Sequence, residues 1–401
     1  MIKWIKQYNN KVLQILVFLL FLFPILPPPI PVVIIICISL LSIFFHRNLR
    51  SHLNWTLAIN VLFPLLYLLQ YIIEPNYYSW FTFEKKITLL IIPVVFFNLN
   101  SEAIKLKRVL TAFVLAASTL CVIGIGYLII WGPNPEFLGG GNSFAIRTTL
   151  ENILLIHPTY LSIITVFSAS ILISNLFSNP DSKFKFLWLL GIALQTTFVM
   201  IIASRIGIIG LFMTLIFMSF FHRKILKSKL KFIILGIALT GFASWLIPSS
   251  NERIQELIET AVSDNQVETN GTNVRQSIYY CTTLLIKQSW LAGIGTASLQ
   301  EHLNTCYFMV AAVDIVDNNF NTHNEYLNVW LGLGLLGLIV FLTLIINSFY
   351  WAKGNDIHLV FLLLFSLFCF TENLLERQVG VLFFTLWNSY FLISKWNKNE
   401  N

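Results

Sequence analysis

His323-Asn324-Glu325-Tyr326-Leu327 runs into Gly332-Leu333-Gly334-Leu335-Leu336-Gly337, after which no charge appears before Lys353. About 20 apolar residues are enough for a helix to cross roughly 30 Å of hydrocarbon, so this stretch reads as a membrane span whose start is polar and led by a histidine. That start closes the one long hydrophilic stretch of the chain. It is where a site would meet water, and two isolated arginines, Arg205 and Arg275, fall on the same side of the expected membrane.

The rest of the chain repeats the pattern. Of 401 residues 56% are hydrophobic and 11% charged, well outside the balance of an average soluble domain. Apolar runs begin near Val12, Ile30, Trp55, Ile87, Val109, Pro158, Phe186, Ile206, Lys231, Glu325, Ile357 and Gly380. The expected fold is therefore an all-α polytopic membrane protein of about 12 transmembrane helices. It forms a single membrane domain over 1–401, and residues 248–324 form a cap loop within it.

Short loops rich in Lys and Arg stay cytoplasmic. With the N-terminus inside, only Lys85, Lys86, Arg147, Arg205, Arg253, Arg275, Lys287 and Arg377, eight of the 26 Lys and Arg, fall on the opposite face. Both termini are thus expected in the cytoplasm. The net charge of +7 sits in these short loops and not on one aromatic-laced face, so anionic membrane lipids explain it better than nucleic acid. The first apolar run follows Lys3 and Lys6 as a signal peptide would. Pro27-Pro28-Pro29 follows it, with no small-residue cleavage site, so it reads as an uncleaved helix.

Inside the cap loop, Ser249 and Glu252 fit a capping box. Ile254, Leu257, Ile258, Ala261 and Val262 then recur at the spacing of an amphipathic helix. Residues 263–273 have loop composition. A second helix is expected from Val274 to about Gln288 with Arg275 in its first turn, ended by Trp290-Leu291-Ala292-Gly293-Ile294-Gly295. Those glycines suit a tight backbone or a close approach to a ligand. A cation at a helix start opposes the macrodipole and makes sense where an anion binds. Cys281 and Cys306 share this loop; a disulfide and two unpaired thiols are both open. Arg205 lies in the tight turn Ala203-Ser204-Arg205-Ile206-Gly207, either as a functional charge or as a side chain snorkelling to headgroups.

Three of these pieces, in this order on one face, resemble a known family. Ser204-Arg205 opening a helix, Arg275 leading into Trp290-Leu291-Ala292-Gly293-Ile294-Gly295, and His323-Asn324-Glu325-Tyr326-Leu327 before Gly334 and Gly337 are similar to the O-antigen ligase and polymerase superfamily. The likeness covers about residues 145–390. It departs at Gly332, where family members often carry an acidic residue.

The resemblance implies a glycosyltransferase-C-like enzyme of the bacterial inner membrane with its active site on the periplasmic face. It would transfer a glycan from undecaprenyl diphosphate to a lipid A-core sugar or another glycan acceptor, inverting the anomeric centre. On that reading Arg205 and Arg275 clamp the departing diphosphate, since the guanidinium fork suits phosphate oxygens and keeps its charge. His323 takes the acceptor proton. Arg147, His157, Tyr160, Asn324, Glu372 and Arg377 are candidate substrate contacts, while Glu372 and Arg377 also suit a mutual ion pair. No acidic cluster has metal-ligand spacing, so no metal or other cofactor is expected. The polymerase of the same superfamily is the nearest alternative, and a transporter or flippase for a lipid-linked glycan is the alternative of a different class.

Overall fold

The computed structural model describes residues 2–44, 55–99, 106–136, 142–179, 181–221, 271–310 and 319–400. Among them the chain is helical and contains no strand. In order the helices are α1 (Ile2–Leu20), α2 (Pro29–Phe44), α3 (Trp55–Ile73), α4 (Tyr77–Asn98), α5 (Leu106–Trp131), α6 (Asn142–Leu154) and α7 (Pro158–Ser178). They continue with α8 (Lys185–Ile202), α9 (Arg205–Phe221), α10 (Gly271–Ser289), α11 (Leu299–Met309), α12 (Glu325–Ala352), α13 (Asp356–Cys369) and α14 (Gln378–Glu400).

Eleven of the twelve apolar runs coincide with helices; the run from Lys231 lies outside the described residues. Among the described residues five helices, in α3, α5, α7, α8 and α12, are long and apolar enough to cross a membrane, and α1, α2, α9 and α13 contribute shorter apolar segments. Outward faces agree with a lipid surround: Phe186, Leu187 and Leu190 on α8 and Ile339 and Ile346 on α12 are exposed. In water each such side chain would forgo roughly 1.5–3 kcal/mol of burial.

Local chemistry sets where the helices begin. Asn76 and Ser79 cap α4 reciprocally, Pro158 occupies the first position of α7, and Asn324 and Asn355 accept from backbone N–H groups of α12 and α13. Helix α7 is the axis of the bundle, with 78% of its span buried against 28–33% for α3, α5 and α8. It packs on α5, α8, α9 and α13. Phe167 of α7 meets Phe113, Phe361, Phe383 and Trp387 at ring distances of 5.0–5.8 Å. Between helices, Gln195 donates to Ser168 at 2.8 Å and Asn388 to Asn60 at 2.9 Å.

Helix α12 is broken at Gly334, where φ is 69° and ψ −169°. In an unbroken helix the Leu335 N–H would bond the Leu331 carbonyl. Here Leu331 accepts from Ile294 N–H at 2.8 Å, and Leu335 N–H donates to the carbonyls of Trp290 and Leu291, both at 3.1 Å. Trp330 Nε1 adds a bond to the Trp290 carbonyl at 2.8 Å. The loop after α10 thus crosses the gap and satisfies the freed groups, which buried backbone polar groups require. Of the glycines read as suited to close approach, Gly293 does approach closely, and what it meets is the backbone of α12 at Gly334.

Three expectations change, and one question left open is answered. The run from Ile87 belongs to a helix that starts at Tyr77, so Lys85 and Lys86 lie inside α4 and not in a loop. Helix α10 starts at Gly271, which moves Arg275 to its second turn. Cys281 and Cys306 are bonded, Cα–Cα 5.8 Å, tying α10 to α11. Glu372 and Arg377 do not pair with each other; Arg377 binds Glu151 at 3.0 Å, and Glu372 faces His323. The amphipathic helix expected over 252–262 lies outside the described residues.

Candidate active site

The starts of α7, α9, α12 and α14 and the end of α13 gather at one end of the bundle. A Cβ on Gly207 would sit 2.9 Å from that of Ser162, which sets the first turn of α9 beside the second of α7. One on Gly210 would sit 3.2 Å from Phe368, near the end of α13. Arg205 is the first residue of α9, half-buried, after Ala203 at φ 52° and Ser204, whose hydroxyl accepts from Gly207 N–H at 3.3 Å. Four helix starts bring the positive ends of four helix dipoles to this end.

His323 precedes α12 in the left-handed region, φ 45°. Its N–H donates to Asn321 Oδ1 at 2.9 Å and its carbonyl accepts from the Tyr279 hydroxyl at 3.4 Å. The ring Nδ1 stands 3.7 Å from Glu372 Oε1, an ion-pair distance, with 19% of the side chain exposed. Glu372 is buried and accepts from Thr159 Oγ1 at 3.4 Å and from Asn373 N–H at 3.3 Å. Burial raises this carboxyl, but the His323 ring, then His157 and the Asn373 N–H, outweigh burial and hold it at about 2.

His157 caps α7, its Nδ1 accepting from Thr159 N–H at 3.4 Å. Burial pushes it down to about 4, against the pull of Glu372 and Glu151 and helped by Arg377 and Arg147. Arg147, on α6, and Arg377 thus both act on the His157 ring. Arg275 lies one turn before Tyr279 on α10. Burial raises the Tyr279 hydroxyl, with Arg275 lowering it and Glu372 raising it, so the arginine and the carboxylate act on one phenol. The structure therefore joins His323, Glu372, His157, Arg147, Arg275 and Arg377 in one electrostatic cluster and sets Arg205 at the same end.

Two expected contacts are committed elsewhere. Tyr160 is 1% exposed and donates its hydroxyl to the Asn373 carbonyl at 2.7 Å. Asn324 caps α12 through Leu327 N–H at 3.1 Å while its own N–H reaches Asn373 Oδ1 at 2.7 Å. In this structure Tyr160 uses its hydroxyl proton, and Asn324 its amide oxygen, in the framework of the site.

The turn from α13 to α14 was missed as an organiser. Asn373, fully buried, accepts from Thr322 and Asn324. Leu375 N–H donates to Glu325 Oε2 at 2.9 Å. Glu376 takes Lys86 Nζ at 2.8 Å and Asn328 at 3.2 Å, and Lys86 also bonds the Leu375 carbonyl. The available signal was the density of polar residues over 371–378 between two apolar runs. No group of three or more His, Cys, Asp or Glu among the described residues gathers to hold a metal ion.

A family model described as O-antigen ligase matches residues 190–342. The match bears out the resemblance to the O-antigen ligase and polymerase superfamily. It takes in Arg205, Arg275, His323 and both glycines of the α12 crossing; Arg147, His157, Tyr160, Glu372 and Arg377 lie beyond it. A comparison with curated proteins finds no match.

Proposed function

We propose, on the premise of the O-antigen ligase domain at residues 190–342, that this chain is a membrane glycosyltransferase of the ligase type. It transfers a glycan from undecaprenyl diphosphate to a sugar hydroxyl of lipid A-core on the periplasmic face of the inner membrane. The observation that carries the reading is the gathering of Arg147, Arg275, Arg377 and His323 in one cluster at the end where Arg205 heads α9.

The chemistry needs that set. As the anomeric C–O bond breaks, the bonding pair and a growing negative charge pass to the diphosphate, and fixed cations already in place stabilise that charge without reorganising. Arg205 and Arg275 hold the diphosphate, the first at the positive end of the α9 dipole. The acceptor oxygen bonds the anomeric carbon from the opposite side while its proton passes to the neutral imidazole of His323. The centre inverts. Permanent cations serve in place of a divalent ion, so the reaction is metal-independent.

The same cations and base suit the polymerase of the superfamily, in which the acceptor is a second lipid-linked repeat. Reconstituting the purified chain in liposomes with a lipid-diphosphate glycan and both acceptors decides between them. Consumption of lipid A-core with product on its sugar supports the ligase. Elongation of the lipid-linked repeat supports the polymerase, and movement of the glycan lipid across the bilayer without a new glycosidic bond overturns both.

A further inference from the structure

The backbone of His323 is held on both sides, by Asn321 and by Tyr279, which leaves its ring to be fixed. The ring Nδ1 is buried and makes no hydrogen bond within the protein; the atom facing it, at 3.7 Å, is Glu372 Oε1. Glu372 is itself held by Thr159 Oγ1 and by Asn373 N–H. That N–H comes from the residue that also receives Thr322 and the Asn324 N–H, on either side of His323 in the chain. One buried turn therefore sets both the height of His323 and the position of the carboxylate behind its ring.

A carboxylate behind one imidazole nitrogen keeps the proton on that nitrogen and leaves the lone pair on the other. The present separation is longer than a hydrogen bond. Such contacts are often long without substrate and tighten when it binds.

We propose that Glu372 is the positioning residue of His323: it holds the ring with its proton on Nδ1, leaving the Nε2 lone pair for the acceptor hydroxyl. This rests on His323 being the base. In the step, the acceptor O–H bond breaks and its proton bonds Nε2, the acceptor oxygen bonds the anomeric carbon, and the diphosphate leaves with the electron pair of the old bond. The ring becomes a cation, and the Glu372 carboxylate lies beside it. The other charged and titratable groups on the elements packed around the pair are His157 on α7, Arg275 and Tyr279 on α10, Arg147 and Glu151 on α6, and Arg377 in the turn.

The test uses the full chain in liposomes as wild type, Glu372→Gln and Glu372→Asp. With 15N-labelled histidine, the His323 ring signal is assigned by its loss in His323→Gln. The expected wild-type ring carries its proton on Nδ1, and that form declines in Glu372→Gln. Transfer by Glu372→Gln falls on the order of 10- to 100-fold in kcat, with KM for the acceptor little changed. Glu372→Asp, which keeps the charge, recovers part of the rate.

An unchanged ring tautomer in Glu372→Gln overturns the proposal. So does a raised KM with kcat intact, which would make Glu372 a substrate contact. A loss of rate in which Asp does no better than Gln also overturns it as the mark of scaffolding. A wild-type chain with the Nδ1–H ring that forms no glycosidic bond overturns the transfer reading, and with it the catalytic meaning of the pair.

Discussion

Gly293 and Gly334 meet backbone to backbone across the break in α12. A Cβ on Gly293 would lie 2.5 Å from the Gly334 nitrogen and 2.8 Å from the Leu331 oxygen, and both glycines have positive φ, 74° and 69°. The crossing connects the end of α10, which carries Arg275, to the helix that His323 precedes.

Alanine at either glycine meets both a clash and a strained backbone. Strain of this kind alone costs on the order of 1–3 kcal/mol, and the loop must also withdraw from the break. Gly334→Ala and Gly293→Ala are expected to lower the thermal unfolding midpoint and to lower transfer together. A variant with full transfer and an unchanged midpoint would show the contact to be dispensable.

The Cys281–Cys306 bond closes a loop of sequence separation 25 between α10 and α11. By loop-closure entropy a cross-link of this length contributes about 3 kcal/mol. The double variant Cys281→Ser, Cys306→Ser is expected to unfold at lower temperature, and reductant should shift the wild type but not the variant.

Lys86 is fully buried and bound to Glu376. Removing one member leaves a buried charge without its partner, at about 3–5 kcal/mol. Lys86→Met is therefore expected to be markedly less stable than Lys86→Met with Glu376→Gln. Equal midpoints for the two variants would mean that the pair contributes no specific stabilisation.

Acid should destabilise the protein in two stages. His157 sits at about 4 in the fold against an unfolded value near 6.5. Between those values the unfolded chain holds more protons, so stability falls as pH falls from about 6.5 to 4. Glu372 and Glu376 sit at about 2, so their stabilisation, complete above the unfolded carboxyl value near 4.3, is lost as pH falls through 2. Burial raises Glu376, and Lys86 and Lys85 outweigh it. Thermal scans from pH 7 to 3 should show the midpoint dropping as pH falls, and His157→Gln should flatten the upper stage and also weaken the lower one, because His157 helps hold Glu372 down.

If the arginines neutralise the leaving diphosphate, Arg205→Ala, Arg275→Ala and His323→Ala each lose transfer by at least about 100-fold while remaining folded in the membrane. Arg→Lys at 205 or 275 is also severely impaired, because an ammonium lacks the planar fork. Transfer should survive EDTA. Activity lost in EDTA and restored by magnesium would mean that the cations do not suffice.

The helical bundle was legible in the chain because a bilayer demands it. Backbone groups in hydrocarbon must bond internally, so an apolar run of the right length has little choice but to become a helix, and the runs from Trp55, Val109, Pro158 and Glu325 each did. Helix starts were legible where Asn324 and Pro158 signal them. The start of α4 was not, since Glu84, Lys85 and Lys86 look like a loop until Glu376 supplies a buried partner for Lys86.

The sequence by itself determined the helical architecture and put Arg205, Arg275 and His323 in family order, because hydropathy and short motifs act along the chain. Tertiary structure alone decided which side chains meet. Tyr160 gives its hydroxyl to Asn373, Arg377 turns to Glu151, and Glu372 turns from the expected Arg377 to His323. Pairings of this sort join residues tens to hundreds of positions apart, and they are selected by burial, which leaves a polar group no water and forces it to whatever partner the packing brings within reach.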